Sequence, residues 1–317
     1  MNKENYQAVN SAVIDRWVAE GWEWGKPIDH ETYLRAKAGE WDVLLTPTKA
    51  VPHEWFGDLA GKRVLGLASG GGQQIPVFTA LGARCTVLDY SAAQLESERM
   101  VAAREDYAVE CVQADMTKPL PFADASFDLI FHPVSNCYVE QLDPIWRECA
   151  RVLKPGGVLL VGFDNGFNYL FDDDWKIRYK LPFNPLQDEA LYKASLENDD
   201  GIQFSHTIEE EIGGQLRAGF MLTDIYQDTN GYGLLEEYNV PTFYATRCVK
   251  KMRKRRRPRR TAKTRCTAGK RLCAVFFRCF RGKKFLKIEE EKTRDKKRKQ
   301  KKTGDCALWI KKREKMC

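Results

Sequence analysis

The sequence predicts an α/β protein: a doubly wound, mostly parallel sheet of seven strands with the last one reversed, helices in front of it and a basic segment behind. Three observations carry that expectation. Short apolar runs alternate with helical runs between residues 62 and 163. The first of them ends in a glycine cluster that opens into a helix. Two more strand-like runs, about 220–227 and 241–249, are separated by a turn short enough to pair them antiparallel.

In order, KRVLGL at 62–67 is a strand, Gly70-Gly71-Gly72 a tight loop, and IPVFTALGA a helix closed by Gly82. RCTVLDYS at 84–91 alternates as a second strand, and Ser91 with Gln94 makes a capping box for a helix running to about Arg104. A third strand, about 108–114, ends at Asp115, and FDLIFH at 127–132 is a fourth, apolar as a strand covered on both faces should be. Asp143 caps and Pro144 starts the next helix, with Ile145, Trp146, Cys149, Val152 and Leu153 on one face until Pro155-Gly156-Gly157 stops it. Strand five follows at 158–163, then an aromatic, acidic insertion at about 164–205. Thr207 and Glu210 cap a helix carrying Ile208, Ile212 and Leu216, which Gly213 and Gly214 weaken. Parallel strands joined by right-handed crossovers bind ligands at their carboxyl ends, so the loops just named are expected along one edge.

The net charge of +7 over 317 residues describes neither part of the chain. Residues 247–317 hold 31 Lys and Arg against 6 Asp and Glu, which leaves 20 basic and 38 acidic residues in 1–246. The expected division is an N-terminal helical lid at 1–58, a ligand-binding domain at 59–250 and a basic tail at 251–317. No apolar run approaches the ~18–20 residues of a membrane helix, and MNKENYQAVN is not a secretory signal, so a cytoplasmic location is expected. The cysteines form no C-x-x-C pair, no histidine follows His206, and no metal site is expected; His30 and His53 read as surface or packing residues.

The glycine loop suits a nucleotide-like ligand, because glycines let it approach backbone N–H groups at a helix start. The G-x-G-x-x-G fingerprint fails, since Gly70-Gly71-Gly72-Gln73-Gln74-Ile75 lacks its third glycine. Asp89, ending strand two, can accept both hydroxyls of a ribose, and Asp115 can accept an adenine amino group. Two carboxylates at neighbouring strand ends suit a free adenosine better than a pyrophosphate, which they would repel.

With VLGLASGGGQQ, RCTVLDYS, ADMTKPLPFADASFDLI and RVLKPGGVLL in this order, the chain resembles the class I S-adenosylmethionine-dependent methyltransferases of the small-molecule type. The resemblance is strong over 60–165, and the ending at 207–249 fits the family's sheet. It implies S-adenosylmethionine as cofactor: Ala68, Ser69, Gly70, Gly72 and Gln73 around its methionine part, Asp89 with Tyr90 and Ser91 at the ribose, Asp115 and Met116 at the adenine. The stretch His132–Cys137 would border the reaction site. The family usually has an acid two residues before its first loop glycine; here Gly66 stands there and Ala68 replaces the glycine, so Asp42 or another N-terminal residue is expected to supply the acid.

Methyl transfer chiefly requires orientation, with reacting atoms held about 3–3.5 Å apart and water excluded. A general base is needed only for an acceptor proton of high pKa. His132 is the candidate, with Asn136 and Tyr138 beside it; the alternative is a hydrogen-bonded histidine that shapes the loop. HPVSNCY is faintly similar to the Asn-Pro-Pro-Tyr loop of amino-methylating relatives, in a different order, and their specificity is not carried over. Asp164 and Asn165 can touch cofactor or acceptor, while Asp172, Asp173 and Asp174 read as a solvated turn. Trp17, Trp22, Trp24, Trp41 and Trp55, five of eight tryptophans within 55 residues, suggest helices closing over an acceptor pocket with aromatic walls.

KKMRKRRRPRR at 250–260 reads as an RNA or DNA footprint, as an anionic-lipid anchor helped by AVFFRCF at 274–280, or as an out-of-frame extension. The expected function is therefore methyl transfer to a small molecule. The alternatives are a nucleic-acid methyltransferase targeted by the tail, and a noncatalytic adenosine-binding module.

Overall fold

A computed structural model describes residues 5–172, 174–198 and 200–252, so the basic tail beyond Met252 and Asp173 of the acidic turn lie outside the described residues. Seven strands form one sheet: β1 (Arg63–Leu67), β2 (Arg84–Asp89), β3 (Glu110–Gln113), β4 (Phe127–His132), β5 (Leu153–Asp164), β6 (Phe220–Asp228) and β7 (Phe243–Lys250). Their order is β3-β2-β1-β4-β5-β7-β6, and β7 is antiparallel to both of its neighbours. The order reverses between β1 and β4, so the loops after these strands diverge and open a crevice at their carboxyl ends.

Successive residues of the central strands face opposite cores. Val64, Val87, Leu129, Phe131 and Leu160 join one; Leu65, Leu67, Leu88, Ile130, Leu159 and Val161 join the other. Burial on both sides explains the continuous apolar runs. The helices α3 (Gln74–Ala80) and α4 (Ala92–Glu105) follow β1 and β2, and α5 (Asp143–Val152) precedes β5. Ser91 Oγ accepts from Gln94 N at 3.1 Å, one half of the expected capping box; the reciprocal half does not form, because Ser91 N donates to Asp89 Oδ1 at 3.0 Å, while Asp15 accepts from Ala93 N at 3.0 Å.

Three local expectations change. β5 begins at Leu153, because Leu153 already pairs with Phe127; the residues around Gly156 are absorbed as an irregularity before Val158 pairs with Leu129. Asp143 does not cap: it is the first residue of α5, after Leu142. The capping box at Thr207 does form, with Thr207 N to Glu210 Oε2 at 2.8 Å and Glu210 N to Thr207 Oγ1 at 3.1 Å. It opens a π-helical turn, Glu209–Gly213, before a short helix, Gly214–Arg217. The wider turn breaks the 3–4 spacing, which leaves Ile208 and Leu216 exposed. Gly214 is a packing requirement: a Cβ there would lie 2.4 Å from Trp146 Cδ1.

Ahead of the sheet, α1 (Tyr6–Ala19) and α2 (His30–Lys37) are followed by an irregular segment that crosses β5. The crossing depends on Gly162, whose Cβ would fall 1.9 Å from Leu45 O, and Val134 N donates to the same carbonyl at 3.2 Å. The insertion after β5 contains α6 (Glu189–Glu197), and its Tyr192, Ile202 and Phe204 form a small core with Tyr6 of α1. Helix and insertion thus pack together above the strand ends.

Candidate functional site

The strand ends, α1, the crossing segment and the insertion enclose a cavity of about 640 Å³. Its floor starts at the loop after β1. Ala68 has φ +47°, a left-handed conformation that costs a residue with a Cβ roughly 1–2 kcal/mol, and its N–H donates to Leu88 O at 2.7 Å. Gly70 N donates to Asp89 Oδ2 at 3.0 Å, and Ser91 N to Asp89 Oδ1 at 3.0 Å. A Cβ on Gly70 would lie 2.7 Å from Gln94 Cβ, so glycine lets the loop close on both acceptor side chains. Burial pushes the Asp89 carboxyl up, against the pull of the Ser91, Gly70 and Tyr90 N–H groups.

The loop is braced from behind. Gly72 N donates to Glu98 Oε2 at 3.0 Å, and Glu98 is fully buried, which pushes its carboxyl up to about 8. Gly66 explains the missing acid: Ile75 fills that space, 2.7 Å from where a Cβ would be. Asp42 does not replace it, because it lies exposed beside His53, 3.4 Å from Nε2. From the N-terminal segment the acid that reaches the cavity is Glu23, whose backbone carbonyl accepts from Gln73 Nε2 at 2.8 Å.

Ala68, Ser69, Gly70, Gln73, Asp89, Tyr90, Ser91, Asp115 and Met116 line the cavity together, and Gly72 does not. Asp115 ends β3's extension, its Oδ1 held by Thr117 N at 2.8 Å and Thr117 Oγ1 at 2.7 Å.

The expectation for His132 is corrected. It is fully buried behind the cavity wall on the Trp146 side, with Nδ1 2.8 Å from Leu67 O and Nε2 2.8 Å from Asn136 Oδ1. Burial pushes its pKa down, and both nitrogens are engaged. Asn136 is likewise buried, and its Nδ2 donates to Glu211 Oε2 of the π-turn at 2.7 Å. These two side chains hold the β4 loop in place. Tyr138 does line the cavity, with Ser135 and Cys137.

At the end of β5, Asp164 faces the cavity, is 8% exposed and accepts from Gly166 N at 2.8 Å. Burial pushes its carboxyl up to about 6. Asn165 turns away, its Nδ2 donating to Pro241 O, and Asp172 holds a turn through Arg178. Trp17, Trp22 and Trp24 line the cavity; Trp41 stacks on His53 with centroids 4.0 Å apart, and Trp55 donates to Asp224, so those two are packing residues.

Two residues that line the cavity escaped the sequence reading. Asn10 of α1 clamps the roof: its Nδ2 donates to Ile202 O at 2.9 Å and Tyr138 O at 3.2 Å, and its Oδ1 accepts from Ile202 N at 2.6 Å. Gln94 lines the cavity with a buried Oε1 that has no hydrogen-bond partner among the described residues. Nothing in the spacing marks Asn10, whereas Gln94 was visible only as a cap. Among the described residues lining the cavity the charged ones are Glu23, Asp89, Asp115 and Asp164, with no Lys, Arg or His. Among the described residues no cluster is placed to hold a metal ion, and no helix is long and apolar enough to cross a membrane.

A family model described as a methyltransferase domain matches residues 65–161. The chain is 41% identical over 251 residues to the uncharacterized methyltransferase YbaJ of Bacillus subtilis, covering 77% of this chain and 98% of that one. It is 39% identical over 103 residues to a demethylmenaquinone methyltransferase of Clavibacter sepedonicus, covering 32% of this chain and 41% of that one. Among solved structures, an S-adenosylmethionine-dependent methyltransferase from Mesorhizobium loti superposes with a TM-score of 0.51 at 21% identity, over 62% of this chain and 94% of that one, a likeness of fold.

Proposed function

The chain belongs to the class I S-adenosylmethionine-dependent methyltransferases, and on that premise we propose that it methylates a small molecule held under α1, over the carboxyl ends of β4 and β5 and the start of the antiparallel β7. One observation carries this reading: the acceptor side of the cavity is roofed by α1 and the insertion, which share a core and the Asn10 clamp. A pocket closed in this way admits a compact acceptor, and its acidic lining opposes the phosphates of a nucleic acid.

The residues present fit the donor. The buried, partnerless Gln94 Oε1 and the close approach at Gly70 make a cradle lined with acceptors. A lining with carboxylates and no cation among the described residues suits a molecule that carries both a sulfonium and an ammonium. In this assignment Asp89 holds the ribose hydroxyls, Asp115 and Met116 border the adenine, and Ser69, Gly70, Gln73 and Gln94 face the amino-acid end. When bound, the donor supplies an electrophilic methyl carbon. The chain's own part is orientation and water exclusion: the braced glycine loop fixes one reactant, and the Asn10 clamp closes the roof over the other. Residues 1–58 then act as the lid and 59–250 as the donor-binding domain.

Calorimetry of the full chain with S-adenosylmethionine tests the donor site. Asp89→Ala should weaken binding about tenfold or more, as expected for loss of a buried charged hydrogen-bonding group; unchanged affinity would show the ribose assignment wrong. Methyl incorporation into metabolite extracts and not into RNA is expected, and the reverse would overturn the small-molecule reading.

A further inference from the structure

The acceptor half of the cavity has a distinctive charge pattern. Its walls come from the crossing segment, the β4 loop, the end of β5, the insertion and the start of β7: Thr46, Tyr138, Tyr169, Asn230, Tyr232 and Phe243 are among them. Among the described lining residues of this half one is charged, Asp164. It is more than nine-tenths buried, faces the cavity, and receives a hydrogen bond from one backbone N–H, that of Gly166. Tyr169 spends its hydroxyl on Gln203 Oε1 at 2.8 Å and stacks one face of its ring on Phe183, with centroids 5.4 Å apart, which leaves the other face to meet a ligand.

An anionic acceptor has nothing to bind here, since carboxylates and phosphates call for Arg, Lys or N–H groups. A cation has both of the features that recognise it: a desolvated carboxylate and aromatic rings, whose faces attract an ammonium by ~0.5–2 kcal/mol each. We propose that the acceptor is a small organic amine, bound as its ammonium ion by Asp164 among the rings of Tyr138, Tyr169 and Phe243, and methylated on nitrogen. This rests on the donor-dependent reading above and names its substrate class.

The proton balance follows. The ammonium gives one proton to the Asp164 carboxylate, which frees the nitrogen lone pair. That pair makes the new N–C bond as the methyl carbon's bond to sulfur breaks, its electrons staying on sulfur. Asp164 then passes its proton to solvent, one proton released per methyl transferred. Burial holds Asp164 at about 6, a range from which it both binds an ammonium and accepts a proton near neutrality. Glu211, Cys137, Tyr138 and Tyr169 also face it; burial pushes all four upward, and the charge on Asp164 adds to the rise.

The test reads acceptor binding without the donor. Phenethylamine, phenethyl alcohol, phenylacetate and phenyl phosphate are titrated into the full chain by calorimetry and tryptophan fluorescence, in wild type and Asp164→Asn. The amine should bind about tenfold or more tightly than the alcohol, with no binding of the two anions, and Asp164→Asn should erase that preference. Thermal melting of the variant checks that it is folded, and its unchanged affinity for S-adenosylmethionine checks the donor half. Equal binding of amine and alcohol, binding of either anion, no binding of the amine at millimolar concentration, or an intact preference in Asp164→Asn would each overturn the proposal. Failure of the wild type to bind S-adenosylmethionine would instead strike the underlying reading, because amine binding is measured independently of it.

Discussion

Replacing Asp164 by Asn should make the protein more stable at neutral and alkaline pH. Burial raises its carboxyl from 3.8 to about 6 in the folded protein. A folded-state pKa above the unfolded one means that the unfolded chain ionises first. The favourable contribution of the neutral carboxyl is therefore full below about pH 4 and is lost as pH rises through about 6. Two pKa units at 1.36 kcal/mol each come to about 3 kcal/mol of destabilisation above pH 7. Asn has no proton to lose, and its Oδ1 can keep the hydrogen bond from Gly166 N. Glu211, a buried carboxyl coupled to Asp164, is also held well above the usual range by burial, with Asp164 adding to it. Urea unfolding of both proteins at about pH 4 and about pH 8 measures the effect. The stability advantage of Asp164→Asn should grow by about 3 kcal/mol between the two, or about 6–12 °C in Tm for a domain of this size. An advantage that is the same at both pH values would refute the claim that Asp164 is held ionised at a cost, and with it the idea that this cost is kept for binding a cation.

Three further outcomes are expected. Asn10→Ala leaves Ile202 N–H, Ile202 O and Tyr138 O without their partner, each costing about 1–3 kcal/mol; hydrogen exchange should accelerate in 6–19 and 200–206 while β1 and β4 stay protected, and unaltered exchange in α1 would remove the clamp. Gly162→Ala must push Leu45 away from β5, costing about 3 kcal/mol or more in urea unfolding; near-wild-type stability would mean the crossing segment is not seated on the strand. Glu98→Gln should gain on wild type by about 1.4 kcal/mol per pH unit between roughly pH 5 and pH 8 and then level off, since the raised Glu98 carboxyl loses its favourable contribution across that interval. A flat difference across that window would show that Glu98 is not raised.

Much of the frame was legible because it is local. An apolar run closed by a carboxylate marks a strand and its end, so Asp89 and Asp115 could be placed at the cavity from neighbours alone. β4 was found with its observed bounds for the same reason. Strand alternation also held the answer for His132: it sits in phase with Ile130, which packs in the Trp146 core, and the pattern therefore points it away from the crossing segment. The π-turn at Glu209–Gly213 was hidden, since a capping box opens an α- or a π-turn equally well.

What the sequence by itself determined was the sheet, its last reversed strand and the carboxylates that flank the glycine loop, all products of short-range pattern and of crossover handedness. Tertiary structure decided which side chains meet in the acceptor half. Asn10 reaches Ile202 across 192 residues, Gly162 admits Leu45, and Asp164 gains its charge environment from loops that lie far apart in the chain. Burial sets how strongly a carboxylate holds its proton, and burial arises only when those segments converge.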